Sequence, residues 1–131
     1  MLLDTSGLLC LFDASDWRHA EAVSLYDADT EPLTHNYVLA EFVPLCGSRA
    51  LNRAAALAFA ADLVDSPHVE AIWVDELLHR AAVALLQSRL DKSYSLCDAV
   101  SFLLMRHRRI TEALTTDRHF SQEGFTRLLR P

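Results

Sequence analysis

Four acidic residues stand inside or at the ends of apolar runs: Asp4 closes Met1-Leu2-Leu3, Glu41 sits within Val38-Leu39-Ala40-Glu41-Phe42-Val43, Asp98 within Leu96-Cys97-Asp98-Ala99-Val100, and Asp117 follows Leu114-Thr115-Thr116. An ionised carboxylate beside Leu, Val or Phe is costly to desolvate unless something compensates it. A divalent cation compensates several at once, and Mg²⁺ or Mn²⁺ prefers oxygen ligands. The four acids therefore read as the wall of one metal site that folding assembles. Each also has a plainer role taken singly. Asp4 suits an Asx-turn with Ser6, Asp98 lies three residues after Ser95 as in a capping box, and Asp117 suits a cap of the turn at Arg118-His119. Glu41, mid-helix between Leu39 and Phe42 in what reads as buried surroundings, is the hardest to explain that way.

The elements that must position these acids follow from periodicity and punctuation. Met1–Asp4 reads as a buried first strand and turn, followed by a short helix from Leu8 to Asp13 and one capped by Asp16 from Trp17 to about Asp27. Pro32–Thr34 is a second short strand. Thr34 or Asn36 caps a helix through about Cys46, stopped by Gly47 and expected to kink at Pro44. Asn52 to about Asp65 is Ala-rich and helical. Val69–Val74 is a third strand, Asp75 caps a helix to about Leu90, and Ser95 caps another to about His107. Ala113–Thr116 is a fourth strand, a turn carries His119 and Gly124, and Phe125–Leu129 is a fifth strand at the edge.

Short strands alternating with helices make an α/β fold with a mainly parallel sheet of four or five strands. In such sheets ligands sit beyond the carboxyl ends of the strands, where the strand order switches. Asp4 and Asp117 each follow a strand directly, so adjacency of the first and fourth strands would set them side by side. Glu41 is about a turn and a half into its helix, and Asp98 lies in the first turn of its own.

The length, 131 residues, is that of one ordinary domain. Half the residues are hydrophobic, enough for a full core, yet no run approaches the ~20 residues of a membrane span. With no basic, apolar leader at Met1, the expectation is a soluble cytoplasmic protein. Cys10, Cys46 and Cys97, odd in number and far apart, read as small buried hydrophobes rather than a disulfide framework or zinc knuckle. A net charge of −6 argues against a general nucleic-acid coat, but the charge is uneven. Residues 1–79 carry three basic groups against thirteen acids, and residues 80–131 carry nine against five. An acidic cluster beside a basic C-terminal section suits a polyanion held through metal, although solvated helix faces give the same asymmetry.

The motifs Leu3-Asp4-Thr5-Ser6, Asn36-Tyr37-Val38-Leu39-Ala40-Glu41, Tyr94-Ser95-Leu96-Cys97-Asp98-Ala99-Val100-Ser101-Phe102 and Leu114-Thr115-Thr116-Asp117-Arg118-His119-Phe120, with Gly124-Phe125 behind, together resemble the PIN-domain nucleases. Closest are the stand-alone VapC-type toxins of bacterial toxin–antitoxin pairs. The resemblance spans nearly the whole chain and implies a single domain over residues 1–131, a three-layer α/β/α sandwich. It further implies Asp4, Glu41, Asp98 and Asp117 as ligands of one or two Mg²⁺ or Mn²⁺ ions, with Ser6 and Thr116 orienting a carboxylate or water behind them. A homodimer and a cognate antitoxin whose C-terminal segment covers the site are implied as well.

The expected chemistry is hydrolysis of an RNA phosphodiester, with Glu41 as ligand or base for the water and a 5′-phosphate and 3′-hydroxyl as products. Arg118, with Arg49 and Arg53, is available for phosphate contact, against a plain solubilising role. Trp17 and Trp73 are expected in core or dimer packing more than in base stacking. The alternative is a non-catalytic PIN-like module that binds RNA or protein, and such modules typically lose acids that this chain keeps. A phospho-receiver would need a lysine near the end, and the one lysine is Lys92. An aspartyl phosphatase would need an acid where Ser6 stands.

Overall fold

The computed structural model describes residues 1–131. Its five strands are β1 (Leu2–Leu3), β2 (Leu33–His35), β3 (Glu70–Ile72), β4 (Glu112–Leu114) and β5 (Thr126–Arg127). They form one parallel sheet in the order β3-β2-β1-β4-β5. The chain builds outward from β1 to one side, then returns to β1's other flank with β4. That return is the switch in strand order, and Leu2 and Leu3 register there with Ala113 and Leu114.

Alternation along strands this short still assigns two faces. Leu3 and Leu114 belong to a cluster with Leu8, Leu9 and Cys10 of α1 (Thr5–Phe12), Ala22 of α2 (His19–Ala28), Phe42 of α3 (Asn36–Ser48) and Leu63 of α4 (Arg53–Asp65). Leu2, Leu33 and Ala113 belong to a second cluster with Ala82 of α5 (Glu76–Gln87), Phe102 and Met105 of α6 (Leu96–Arg108) and Phe120 of α7 (Arg118–Gln122). Helices thus cover both faces, giving three layers. Phe42, Phe102 and Phe120 are fully buried, each contributing about 2–3 kcal/mol of burial. The three cysteines are free and buried. No helix is long and apolar enough to cross a membrane.

Local chemistry explains where the elements begin. Asn52, Asp75 and Ser95 cap their helices through their side chains. The α3 cap is His35, neither Thr34 nor Asn36. Its Nδ1 accepts from the Val38 N–H, so the ring proton is on Nε2, which donates to Ser101 Oγ at 2.8 Å. Burial pushes this imidazole down to about 4, so it stays neutral. Thr34 instead donates to the Leu3 carbonyl, and Asn36 accepts from the Val74 N–H, so both serve neighbouring strands. The α3 helix runs as one element through Pro44 to Ser48.

Three further expectations change. The second helix starts at His19, not Trp17, because the Asp16 carboxylate folds back on the Arg18 N–H and guanidinium in a tight turn. The first helix starts at Thr5, directly behind Asp4. Of the core or dimer packing expected for Trp17 and Trp73, the core is excluded, since they are 67% and 65% exposed. Gly7 is demanded by this early helix start. A Cβ there would lie 1.9 Å from the Leu114 carbonyl oxygen, so α1 crosses β4 at a distance only glycine permits.

Candidate metal centre

The carboxyl ends of β1 and β4 place Asp4 and Thr115 opposite one another, continuing the register of Leu2 with Ala113 and Leu3 with Leu114. The Thr115 hydroxyl donates to Asp4 Oδ2 at 2.7 Å and accepts from the Asp117 N–H at 3.0 Å. Ser6 Oγ lies 3.0 Å from Thr115 Oγ1 and 3.4 Å from Asp4 Oδ2, and it accepts from the Thr116 N–H at 2.9 Å. Of the two residues expected to orient the acids, Ser6 thus reaches Asp4, whereas Thr116 contributes its backbone. The side chain that holds Asp4 is Thr115. Side chains alternate along a strand, so 115 shares the face of Ala113 and Asp4 while 116 points away.

Asp98 is held at the start of α6 by a capping box. Ser95 Oγ accepts from the Asp98 N–H, and Asp98 Oδ2 accepts from the Ser95 N–H, both at 3.0 Å. Capping and site-building are thus compatible in this residue. Oδ1 has no donor, yet it is not sealed from solvent. Asp117 caps α7 by accepting from the His119 N–H at 2.9 Å. Glu41 is exposed, contrary to its apolar neighbours in sequence: Phe42 turns into the core and Glu41 to the outer side of α3, where Oε2 accepts from the Thr5 hydroxyl at 3.2 Å.

All four acids line one open cavity of about 280 Å³. Asp98, Asp117 and His119 come closest, each offering one ligand atom within 4.8 Å of the others. Asp4 and Glu41 line the same space but fall outside that trio. In sequence, the His119 ring reads as a structural turn residue. Here Nδ1 lies 3.0 Å from Asp98 Oδ2 and 3.4 Å from Asp117 Oδ2, and Nε2 lies 3.2 Å from Ser93 Oγ. The Asp117-x-His119 spacing across a helix start is the sequence signal that points to it. Arg118 is exposed and does not line the cavity, and neither does Arg49 or Arg53.

The electrostatics show what the cavity lacks. Burial, reinforced by Asp98 and Asp117 and opposed by the Thr115 hydroxyl, pushes the Asp4 carboxyl up to about 7. Burial likewise raises Asp98, against the Ser95 and His119 hydrogen bonds. No lysine or arginine lines the cavity to neutralise this charge. A set of carboxylates with one imidazole and no protein cation fits a divalent metal ion.

The family model described as PIN domain matches residues 1–125. The chain is 36% identical over 127 residues, 95% of each sequence, to the 23S rRNA-specific endonuclease VapC20 of Mycobacterium tuberculosis strains CDC 1551 / Oshkosh and ATCC 25618 / H37Rv. Among solved structures it resembles the crystal structure of Mycobacterium tuberculosis VapC20, described as a sarcin–ricin loop cleaving toxin. The TM-score is 0.87 at 35% identity, covering 99% of this chain and 98% of that one.

Proposed function

The chain belongs to the PIN-domain family and is an endoribonuclease of the VapC type, and from that premise we propose that it cuts 23S ribosomal RNA in the sarcin–ricin loop, using Mg²⁺ or Mn²⁺ held by Asp4, Asp98 and Asp117. The observation that carries the metal-dependent reading is an acidic cavity with two buried, raised carboxyl groups and no lysine or arginine in its wall. The RNA target rests on the likeness to VapC20 along nearly the full length of both chains.

A divalent cation, when bound, supplies positive charge to the phosphate oxygens and acidifies the attacking water. The protein's part is positioning. Thr115 and Ser6 fix the Asp4 carboxylate from below, Ser95 fixes Asp98, and the α7 cap fixes Asp117. Glu41, open to solvent at the rim, accepts the proton of the attacking water at its carboxylate. The new bond joins water oxygen to phosphorus while the bond to the 3′-oxygen breaks, so the 5′-phosphate stays on one fragment and the 3′-oxygen leaves protonated by solvent.

A homodimer and a cognate antitoxin in the cytoplasm belong to the same reading. Support for a protein interface comes from Trp73 and Leu77, exposed beside an apolar groove of about 410 Å³ between α5 and α6.

The deciding experiment is incubation of intact ribosomes, and separately of total RNA, with the protein in Mg²⁺ or Mn²⁺ and then in EDTA. The expected result is one cut in 23S RNA bearing a 5′-phosphate, lost in EDTA. Asp98→Asn is expected to slow it on the order of 100-fold or more, since even the groups behind a metal ligand are worth 10–100-fold. Cleavage that persists in EDTA would refute the metal-dependent mechanism, and cuts only outside 23S RNA would refute the target.

A further inference from the structure

We propose that His119 is a direct nitrogen ligand of the cation and biases the centre toward Mn²⁺ over Mg²⁺; this rests on the nuclease reading above, in which the acidic cavity holds a divalent ion. The first support is distance. One ligand atom each from Asp98, Asp117 and His119 lie within 4.8 Å of one another, little more than the ~4.2 Å between opposite ligands of an octahedral ion with bonds near 2.1 Å. A small contraction onto an ion brings all three into contact with it.

The second support is how the ring is held. Nδ1 donates to Asp98 Oδ2 and Nε2 faces Ser93 Oγ, so an ion that takes the place of the Nδ1 proton leaves that proton to Nε2, where the Ser93 hydroxyl accepts it. A hydrogen-bond partner on the far ring nitrogen is the usual support of a ligating histidine. The Tyr94 ring packs against the imidazole at 5.2 Å, and its hydroxyl donates to Glu123 Oε2 at 2.9 Å. Glu123 is anchored in turn by Arg89 and Arg106 at 3.0 and 2.8 Å. This chain of contacts buttresses the imidazole ring.

The third support is chemistry. His119 is the one nitrogen donor among residues lining the cavity. Mg²⁺ takes oxygen ligands almost exclusively, whereas a first-row transition ion accepts an imidazole beside carboxylates. Mn²⁺ combines that tolerance with affinity for a mainly carboxylate set.

The test is pulsed electron paramagnetic resonance of Mn²⁺ added to the EDTA-stripped full chain, with natural-abundance and ¹⁵N-histidine-labelled protein, and with His119→Gln. A directly bonded ¹⁴N is expected in the wild type, converted to ¹⁵N by labelling and absent in His119→Gln. In parallel, the Mg²⁺ concentration that displaces half the Mn²⁺ is expected to fall about tenfold or more in the variant. Bound Mn²⁺ with no nitrogen coupling would overturn the inference, reducing His119 to a hydrogen-bond donor to Asp98 while leaving the nuclease reading intact. A wild-type chain that binds Mg²⁺ but no Mn²⁺ would overturn the inference alone, and one that binds neither ion would overturn both. Should the variant misfold, the labelled wild type still decides.

Discussion

Asp4 lies at the floor of the cavity, 5% exposed, with the Thr115 hydroxyl as its strongest donor. Its carboxyl titrates near 3.8 in the unfolded chain and near 7 in the metal-free fold. Between those values the folded state holds a proton the unfolded state has released, so stability falls as pH rises through this window and the loss is complete above pH 7. Asp4→Asn removes the penalty. In EDTA at pH 8 the variant is expected to be more stable than wild type by up to about 4 kcal/mol, at about 1.36 kcal/mol for each tenfold change in proton affinity, with the gap closing toward pH 4. Chemical denaturation at the two pH values checks it. Saturating Mn²⁺ should cancel the advantage, because the cation stabilises the carboxylate and not the amide. Equal stabilities at pH 8 in EDTA would show that Asp4 is already ionised and hydrated.

At the scale of elements, the crossing of α1 over β4 is the contact that sets the site's floor. A methyl group at Gly7 would meet the Leu114 carbonyl, which is backbone and cannot rotate away. Gly7→Ala is therefore expected to cost about 3 kcal/mol or more, lowering Tm by roughly 10 °C, and to displace Thr115 from Asp4. A calorimetric scan with unchanged Tm would contradict the packing described. Much at this scale was legible in sequence. The apolar run ended by Asp4 marked the end of β1, and Ser95-x-x-Asp98 marked the start of α6, whereas the fourth strand ends at Leu114, three residues short of Asp117, so Thr115 and not Asp117 lies opposite Asp4. What escaped has identifiable causes. The His35 cap was hidden because its polarity is satisfied across the fold by Ser101, 66 residues away. The α7 helix, five residues long, is too short to show a period. Glu41's exposure depends on how α3 is rotated against α1 and α4, which the flanking Leu39 and Phe42 do not fix. The choice of Thr115 over Thr116 needed the β1–β4 register, which pairing alone supplies.

For the whole molecule, metal binding and folding are one equilibrium. The centre draws on residues from both halves of the chain, so an ion that binds only the folded state stabilises everything that holds them together. At a hundred times its Kd an ion adds about 2.7 kcal/mol. Millimolar Mn²⁺ or Mg²⁺ is expected to raise Tm by several degrees at pH 8, with the shift abolished in Asp117→Asn. A melting curve indifferent to either ion would remove the shared centre. The two sides also differ in when they become available. Contacts of such long sequence separation form late, since the intervening loop must close first.

The central position of β1 has a consequence during protein synthesis. A nascent polypeptide that has emerged from the ribosome only as far as α5 already carries Asp4 and Glu41, but β1 has only β2 on one flank and bare edge on the other. None of Asp98, Thr115, Asp117 or His119 has yet appeared. Translation therefore cannot expose a half-active nuclease beside the machine that is making it. The hazard arrives only when β4 slots in against β1.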